Sequence, residues 1–287
     1  MAQTATTGSL ENASKIIIAA ARYTEEHNAP AMALIESFSL PSGAKQVTVP
    51  KVGQMTVSDL EDGRDIVDEE EIGMTTVDLT AAEVGAKVIL TDKLVREQQN
   101  NVMTIIGKQL GDAMARKKDT DVHALYPTLN GNELLGGSVS MSLSNVAGAI
   151  AYAKANKFGN QIYILQHPNA VFDIASAAVT SSQYAIPHGW SEDLLGNFWS
   201  GIRPLNNVPI FEDGNLTIPA DDDVVGVIAD KSAMAVLNSV ETRTEKQRDA
   251  SMRATEIIIT SDYGVFELDD TKGAGLEYDA SVPAHGA

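Results

Sequence analysis

Five histidines, His27, His123, His167, His188 and His285, are the side chains of this sequence that could exchange protons near neutrality or hold a metal. No two of them stand at the short spacing of a metal-binding pair, and there is no cysteine, so thiolate ligation, disulfides and thiol nucleophiles drop out. They read as structural or surface residues. Asp221, Asp222 and Asp223 could lend an oxygen to calcium, but alternating ligands closed by a glutamate are missing, and a solvated turn is expected. Glu192 and Asp193 beside His188 would be the acid and base of an acidic enzyme, yet carboxylates adjacent in sequence usually point apart. The run from Gly273 to Glu277 begins like a dinucleotide fingerprint, but it follows no clear strand and opens no helix. Trp190, Phe198 and Trp199 could stack a base or sugar; with only Arg203 nearby they read as packing of a long loop. Asn12 and Asn215 lie in glycosylation sequons without an export signal. No P-loop, HExxH or GxSxG occurs, so no catalytic, metal or cofactor-binding residue is assigned.

Any such group would have to be positioned by a long rod. Val95, Val102, Ile106, Leu110 and Ala113 recur at three-, four- or seven-residue spacing, and Met103 and Met114 widen the stripe. The spacing predicts one amphipathic helix from Asp92 to about Tyr126. Thr91 is its expected N-cap and Pro127 its stop, with Arg116, Lys117 and Lys118 toward the negative end of the dipole. At 1.5 Å per residue the rod is roughly 50 Å long. That matches the whole diameter of a compact chain of this size, whose expected radius of gyration is about 19 Å. Gly107 and Gly111 inside it admit two readings, close backbone packing or simple tolerance.

Upstream, Val47 and Val49 lead through Met55 and Val57, and Val77 and Leu79 alternate with Asp78 and Thr80 on the way to Leu90. These are the expected limbs of an extended β-hairpin, with Gly85 as a bulge or turn on the returning limb. Between them lie Asp59, Glu61, Asp62, Asp65, Asp68, Glu69, Glu70 and Glu71, a tip too acidic to enter a core. An isolated two-stranded ribbon is marginal in water, so its stabilising surface is expected on another subunit. An ordinary sheet-edge hairpin is the alternative.

The chain of 287 residues is 44% apolar, ordinary for a folded soluble protein. Its net charge of -18, from 21 basic and 39 acidic residues, opposes nonspecific nucleic-acid binding. Ile16 to Ala21 is too short an apolar run for a signal peptide or span, so no membrane contact is expected. Leu10 to Glu26 and Pro30 to Phe38 read as helical before Pro41, Ser42 and Gly43 break the pattern. Beyond the rod, Ser144 is expected to cap a helix to about Asn156, Gln161 to Gln166 to form a buried strand, and Pro168 to open a helix through Ala178. Val224 to Ile228, Ala233 to Val240, Ala254 to Thr260 and Gly264 to Leu268 read as strands, the last of them packing beneath the rod ahead of an acidic tail.

Taken in order, the run from Val47 to Pro50, the turn from Leu60 to Gly63, the strand from Gly85 to Asp92 and the rod's end from Ala113 to Asp119 resemble the extended loop and spine helix of a known family. That family is the major capsid proteins of tailed double-stranded DNA bacteriophages with the HK97-type fold, and Ala250 to Leu268 resembles the C-terminal strands of its P-domain. The resemblance implies an α+β, HK97-like capsid fold. Its parts would be an N-terminal arm at 1–44, an extended loop at 45–90, a P-domain with spine helix at 91–130, an A-domain at 131–236, and P-domain C-terminal strands with a tail at 237–287. It implies self-assembly through pentamers and hexamers, in the host cytoplasm, into an icosahedral shell that encloses double-stranded DNA without sequence-specific binding. A portal is implied as a partner, and a separate scaffolding protein, because about 45 leading residues are too few for a fused one. An encapsulin-like compartment shell is the alternative. Some members join a loop lysine to an asparagine covalently; the tip at 58–72 has no lysine, so no such crosslink is expected. The expected subunit contacts are Asp59, Glu61, Asp62, Arg64 and Asp65 on the loop, and the basic residues Arg243, Lys246 and Arg248.

Overall fold

The computed structural model of the chain describes residues 30–41, 43–52, 74–92, 101–131, 133–134, 136–180 and 208–282. In chain order the elements are the short helix α1 (Pro30–Leu34) and strands β1 (Glu36–Ser39), β2 (Gln46–Val52), β3 (Met74–Thr80) and β4 (Ala82–Thr91). Then come the long helix α2 (Asn101–His123), β5 (Glu133–Leu134), α3 (Leu143–Ala155), β6 (Ile162–Gln166) and α4 (Pro168–Thr180). The chain closes with β7 (Ile210–Glu212), β8 (Asp223–Asp230), β9 (Met234–Asp249), β10 (Ala254–Glu267) and β11 (Gly273–Asp279). The strands form a four-stranded sheet in the order β1-β9-β10-β4, a five-stranded sheet in the order β5-β11-β8-β6-β7, and the ribbon β2-β3.

The described part of α2 has 23 residues, about 35 Å of rod. Ile106, Leu110 and Met114 repeat at i, i+4 and pack on Leu90, Ile257 and Ile259 of the four-stranded sheet. The strands therefore do return beneath the rod. Ala113, assigned to the stripe by spacing, is exposed, because the buried row runs through Met114 and Ala115. Gly107 and Gly111 are both buried, which favours close packing over tolerance. The helix stops at His123 instead of Tyr126. Its last turn tightens through Leu125 N to Val122 O at 3.0 Å, and Pro127 sits inside the following 3₁₀ turn Tyr126–Gly131. Val95 lies outside the described residues.

The returning limb of the hairpin divides between two sheets. β3 pairs with β2, while β4 pairs residue for residue with β10, from Ala82 opposite Tyr263 to Thr91 opposite Ala254. Gly85 is no bulge: it lies within β4, where an added Cβ would stand 3.0 Å from the Ile259 carbonyl oxygen. The irregularity falls on β9, which runs from Asn238 to Arg243 opposite the shorter stretch from Tyr263 to Thr260 of β10. That extra length bulges β9, while Ala254–Glu267 of β10 runs as one strand where the residues read as two. Pro30 to Phe38 is likewise not one helix, since Phe38 pairs in parallel with Leu237 of β9.

Around the five-stranded sheet, α3 supplies Val146, Ala149, Ile150 and Ala153 and α4 supplies Ala170, Val171 and Ile174 to a core with Ile164, Leu165, Val227 and Ile228. The cap of α3 is Ser142, not Ser144: Ser142 has extended backbone and accepts from Asn145 N at 3.3 Å. With Ser140, Ser142 and Ser144 in alternation, sequence could not choose among them. The expected acidic tail is corrected too. β11 pairs with β8 from Gly273 opposite Ala229 to Asp279 opposite Asp223, and its Leu276 and Tyr278 are fully buried. Residues 273–279 thus belong to the second sheet, and β9 crosses the expected division at 236/237 without a break.

Candidate functional site

The ribbon is fixed to its own chain along its described length. Thr48 Oγ1 donates to Asp78 Oδ1 across the strands at 2.6 Å, and Leu79 is fully buried. Gly264 of β10 lies so near the Thr80 carbonyl and the Phe266 ring that a Cβ there would collide with both. Lys51 Nζ meets Asp269 Oδ1 at 2.5 Å. Burial works against the Asp269 charge, but the hydrogen bonds from Lys51 and Thr271 outweigh it and hold the carboxyl below its ordinary range. The stabilisation is present above the ordinary carboxylate range and is lost as pH falls through that lowered value. Lys51→Met is therefore expected to speed amide exchange in β2 at neutral pH, by less than about 1 kcal/mol because the pair is partly exposed, with no difference from wild type in strong acid. Exchange mass spectrometry checks this; equal exchange at neutral pH would show that the pair does not hold the ribbon. The loop contacts Asp59, Glu61, Asp62, Arg64 and Asp65 lie outside the described residues.

Arg243, Lys246 and Arg248, the basic residues expected at subunit contacts, lie on the far half of β9, but they do not converge. Strand alternation puts Lys246 and Arg248 on one face and Arg243 on the other. Arg248 is committed within its own chain, its two terminal nitrogens meeting both oxygens of Asp92 at 2.5 and 2.7 Å. This fork ties β9 to the point where β4 passes toward the helix. Arg243 reaches Glu245 and Thr260 at 3.4 Å each. Partial burial and the neighbouring Arg248 charge lower the Lys246 pKa.

A third polar cluster, invisible to sequence spacing, joins the rod to the five-stranded sheet. His123 Nε2 lies 2.9 Å from Asp213 Oδ2, and both side chains are nearly inaccessible. Asp213 Oδ1 accepts from Asn215 N at 2.8 Å, and Asp213 N donates to Gln166 O at 3.0 Å. Asn215 Nδ2 donates to Asp119 Oδ2 at 2.8 Å. Burial, reinforced by the Asp213 charge and opposed by the Asn215 hydrogen bond, pushes the fully buried Asp119 up to about 7. A cleft of about 430 Å³, lined by residues including Asp112, Arg116, Glu212, Asp213 and Asn215, opens beside it. Next to Asp119 on the rod, Lys118 is buried with its ammonium 5.4 Å from the centre of the Tyr263 ring. Tyr263 OH donates to Asp121 Oδ2 at 2.7 Å, and Asp121 also takes Lys117 at 2.6 Å.

The remaining candidates do not gather. His167 Nδ1 accepts from Asn169 N at 3.1 Å at the start of α4, and burial lowers its pKa. Asp221 and Asp222 form an exposed turn, but Asp223 is buried and accepts from Ser138 N at 2.6 Å, so the triplet is not wholly solvated. Gly273 to Glu277 is part of β11. His27, His188, His285, Glu192, Asp193, Trp190, Phe198, Trp199, Arg203 and Asn12 lie outside the described residues. Among the described residues no three metal-binding side chains cluster.

A family model described as phage capsid protein matches residues 74–274. No curated protein sequence matches. Among solved structures, the capsid of a native GTA particle aligns with a TM-score of 0.64 at 11% identity, over 88% of this chain and 90% of that one. Mycobacterium phage Che8 aligns at 0.60 and 20% identity, over 82% and 85% of the two chains. The capsid of the cyanophage P-SCSP1u aligns at 0.61 and 14% identity, over 86% and 87%.

Proposed function

This chain belongs to the phage capsid protein family, and we propose that it works as the repeating subunit of an icosahedral shell built through pentamers and hexamers around double-stranded DNA. It is a major capsid protein with an HK97-like fold, a structural component of the virion that self-assembles into a shell. The family match does not favour the encapsulin-like alternative. The observation that supports the mode of assembly is the ribbon β2-β3, tied down by Lys51 and Gly264, whose strands are connected by a sequence at 53–73 rich in carboxylates and without lysine. In this reading the parts at 1–44, 45–90, 91–130 and 131–236 serve as arm, extended loop, spine and A-domain, and the last segment is divided between the two sheets. The role is non-enzymatic. Enclosed DNA is held without sequence readout, since a surface at -18 per copy repels phosphate. A scaffolding protein and a portal complete the particle, assembled in the host cytoplasm.

Subunit contacts are expected between the acidic loop, with Arg64, and the basic residues Arg243 and Lys246 of a neighbouring copy. Arg248 acts chiefly inside its own chain, through Asp92. Expressed alone or with its scaffold, the full chain is expected to give megadalton shells by light scattering and electron microscopy. A strictly monomeric species under both conditions would overturn the reading.

A further inference from the structure

Asp119 carries more than packing. Its Oδ2 is held by Asn215, whereas its Oδ1 and the Nδ1 of His123 have no hydrogen-bond partner among the described residues. A buried carboxylate with an unmatched oxygen is costly when ionised, because desolvation penalises charge far more than the neutral acid. From α2 the carboxyl faces His123, with Arg116 and Asp112 a turn or two earlier along the cleft. From the segment after β7 it faces Asp213, with Glu212 beside it, and from α1 the Ala31 backbone amide. Tyr126 lies beneath, its ring 5.2 Å from that of His123. Two carboxylates, Asp119 and Asp213, thus share one close imidazole. The cleft reaches Asp213 and Asn215, which gives protons a way in.

We propose that Asp119 is a proton-operated latch between the long helix and the five-stranded sheet: the neutral acid locks α2 to the turn after β7, and its ionisation loosens that joint. The connection spans nearly a hundred residues of sequence and is made by side chains alone, since Asp213 and Asn215 hold the turn and Asp119 and His123 hold the helix. A folded-state value raised from 3.8 to about 7 means that the closed joint binds the proton more tightly than the open one. The contribution to closure is therefore full in acid and lost as pH rises through about 7. This latch lies within one chain and does not depend on how copies assemble.

The test is hydrogen exchange of the full unassembled chain at pH 5.5 and 8.5, corrected for intrinsic rates, read in peptides covering 112–126 and 208–216. Wild-type protection there is expected to fall about tenfold or more between the two pH values, while Asp119→Asn keeps it at both. A flat wild-type profile, or the same fall in Asp119→Asn, would overturn the latch. If that variant does not fold, Asp213→Asn serves instead. Removing the neighbouring charge should move the wild-type fall to lower pH, and a fall that stays in place refutes the proposal.

Discussion

Gly226→Ala is expected to lower the unfolding free energy by about 3 kcal/mol or more, while Gly148→Ala raises it by about 0.5 to 1 kcal/mol. Both exchanges add one methyl group, and their surroundings set opposite signs. Gly226 lies in β8, the middle strand of the five-stranded sheet, opposite Leu276 of β11. A Cβ there would run into the Leu165 carbonyl oxygen and the Gln166 side-chain oxygen. Gln166 is fully buried and spans three strands: from β6 its Nε2 reaches Val224 O at 3.4 Å and Leu276 O at 3.2 Å, while its Oε1 accepts from His167 N at 3.1 Å. Displacing it strands a buried amide and frees the start of α4. Gly148 is exposed in α3 with nothing near its missing Cβ, so alanine there only restricts the unfolded chain. Urea unfolding of the unassembled chain reads both changes. A Gly226→Ala chain as stable as wild type would mean that the sheet shifts to admit the methyl and Gln166 keeps its bonds.

Gln166 also shows where sequence reading stops. The strand around it was legible, because Ile162, Ile164 and Leu165 form a short apolar run ahead of a proline-opened helix. Nothing local marks a glutamine as the bolt across three strands, since its partners lie 58 and 110 residues away. The rod was legible for the same local reason, its stripe repeating at helical spacing and taking in the buried Met114, although it also took in the exposed Ala113. Spacing cannot tell which of two adjacent small or apolar residues faces a sheet it has not yet located. β11 was missed because two of its first three residues are glycine and its flanks are acidic, so a buried strand looked like a tail. The loop and basic contact residues were chosen by charge, and charge alone could not foresee that Arg248 turns to its own Asp92. The Asp119–Asn215–Asp213–His123 cluster left no trace at all, being assembled by the fold from segments about 90 residues apart.

Neutralising the loop with Asp59→Asn, Glu61→Gln, Asp62→Asn and Asp65→Asn together is expected to cut shell yield by about an order of magnitude. Unfolding of the unassembled chain should stay unchanged, since a stretch this acidic contributes no apolar burial to a core. Two effects compete, and the sign of the result decides between them. Each copy carries a net charge of -18, so removing four carboxylates weakens the general repulsion between copies and by itself favours assembly. If the same carboxylates pair with Arg243 and Lys246 of a neighbour, their loss removes specific contacts. A single exposed pair contributes less than about 1 kcal/mol, but it recurs at every interface of a particle in which all subunits must close together. A rise in yield would show that repulsion dominates and that the loop makes no specific ion pairs. The reciprocal exchange sharpens the test: Arg243→Glu with Lys246→Glu should also suppress assembly, and joining it to a loop carrying lysine at 59, 61, 62 and 65 should restore it. Restoration points to pairing only if the chain with the loop lysines alone, which repels its copies less than the combined chain does, assembles worse than it, because bulk charge acting through the Debye layer predicts the reverse order.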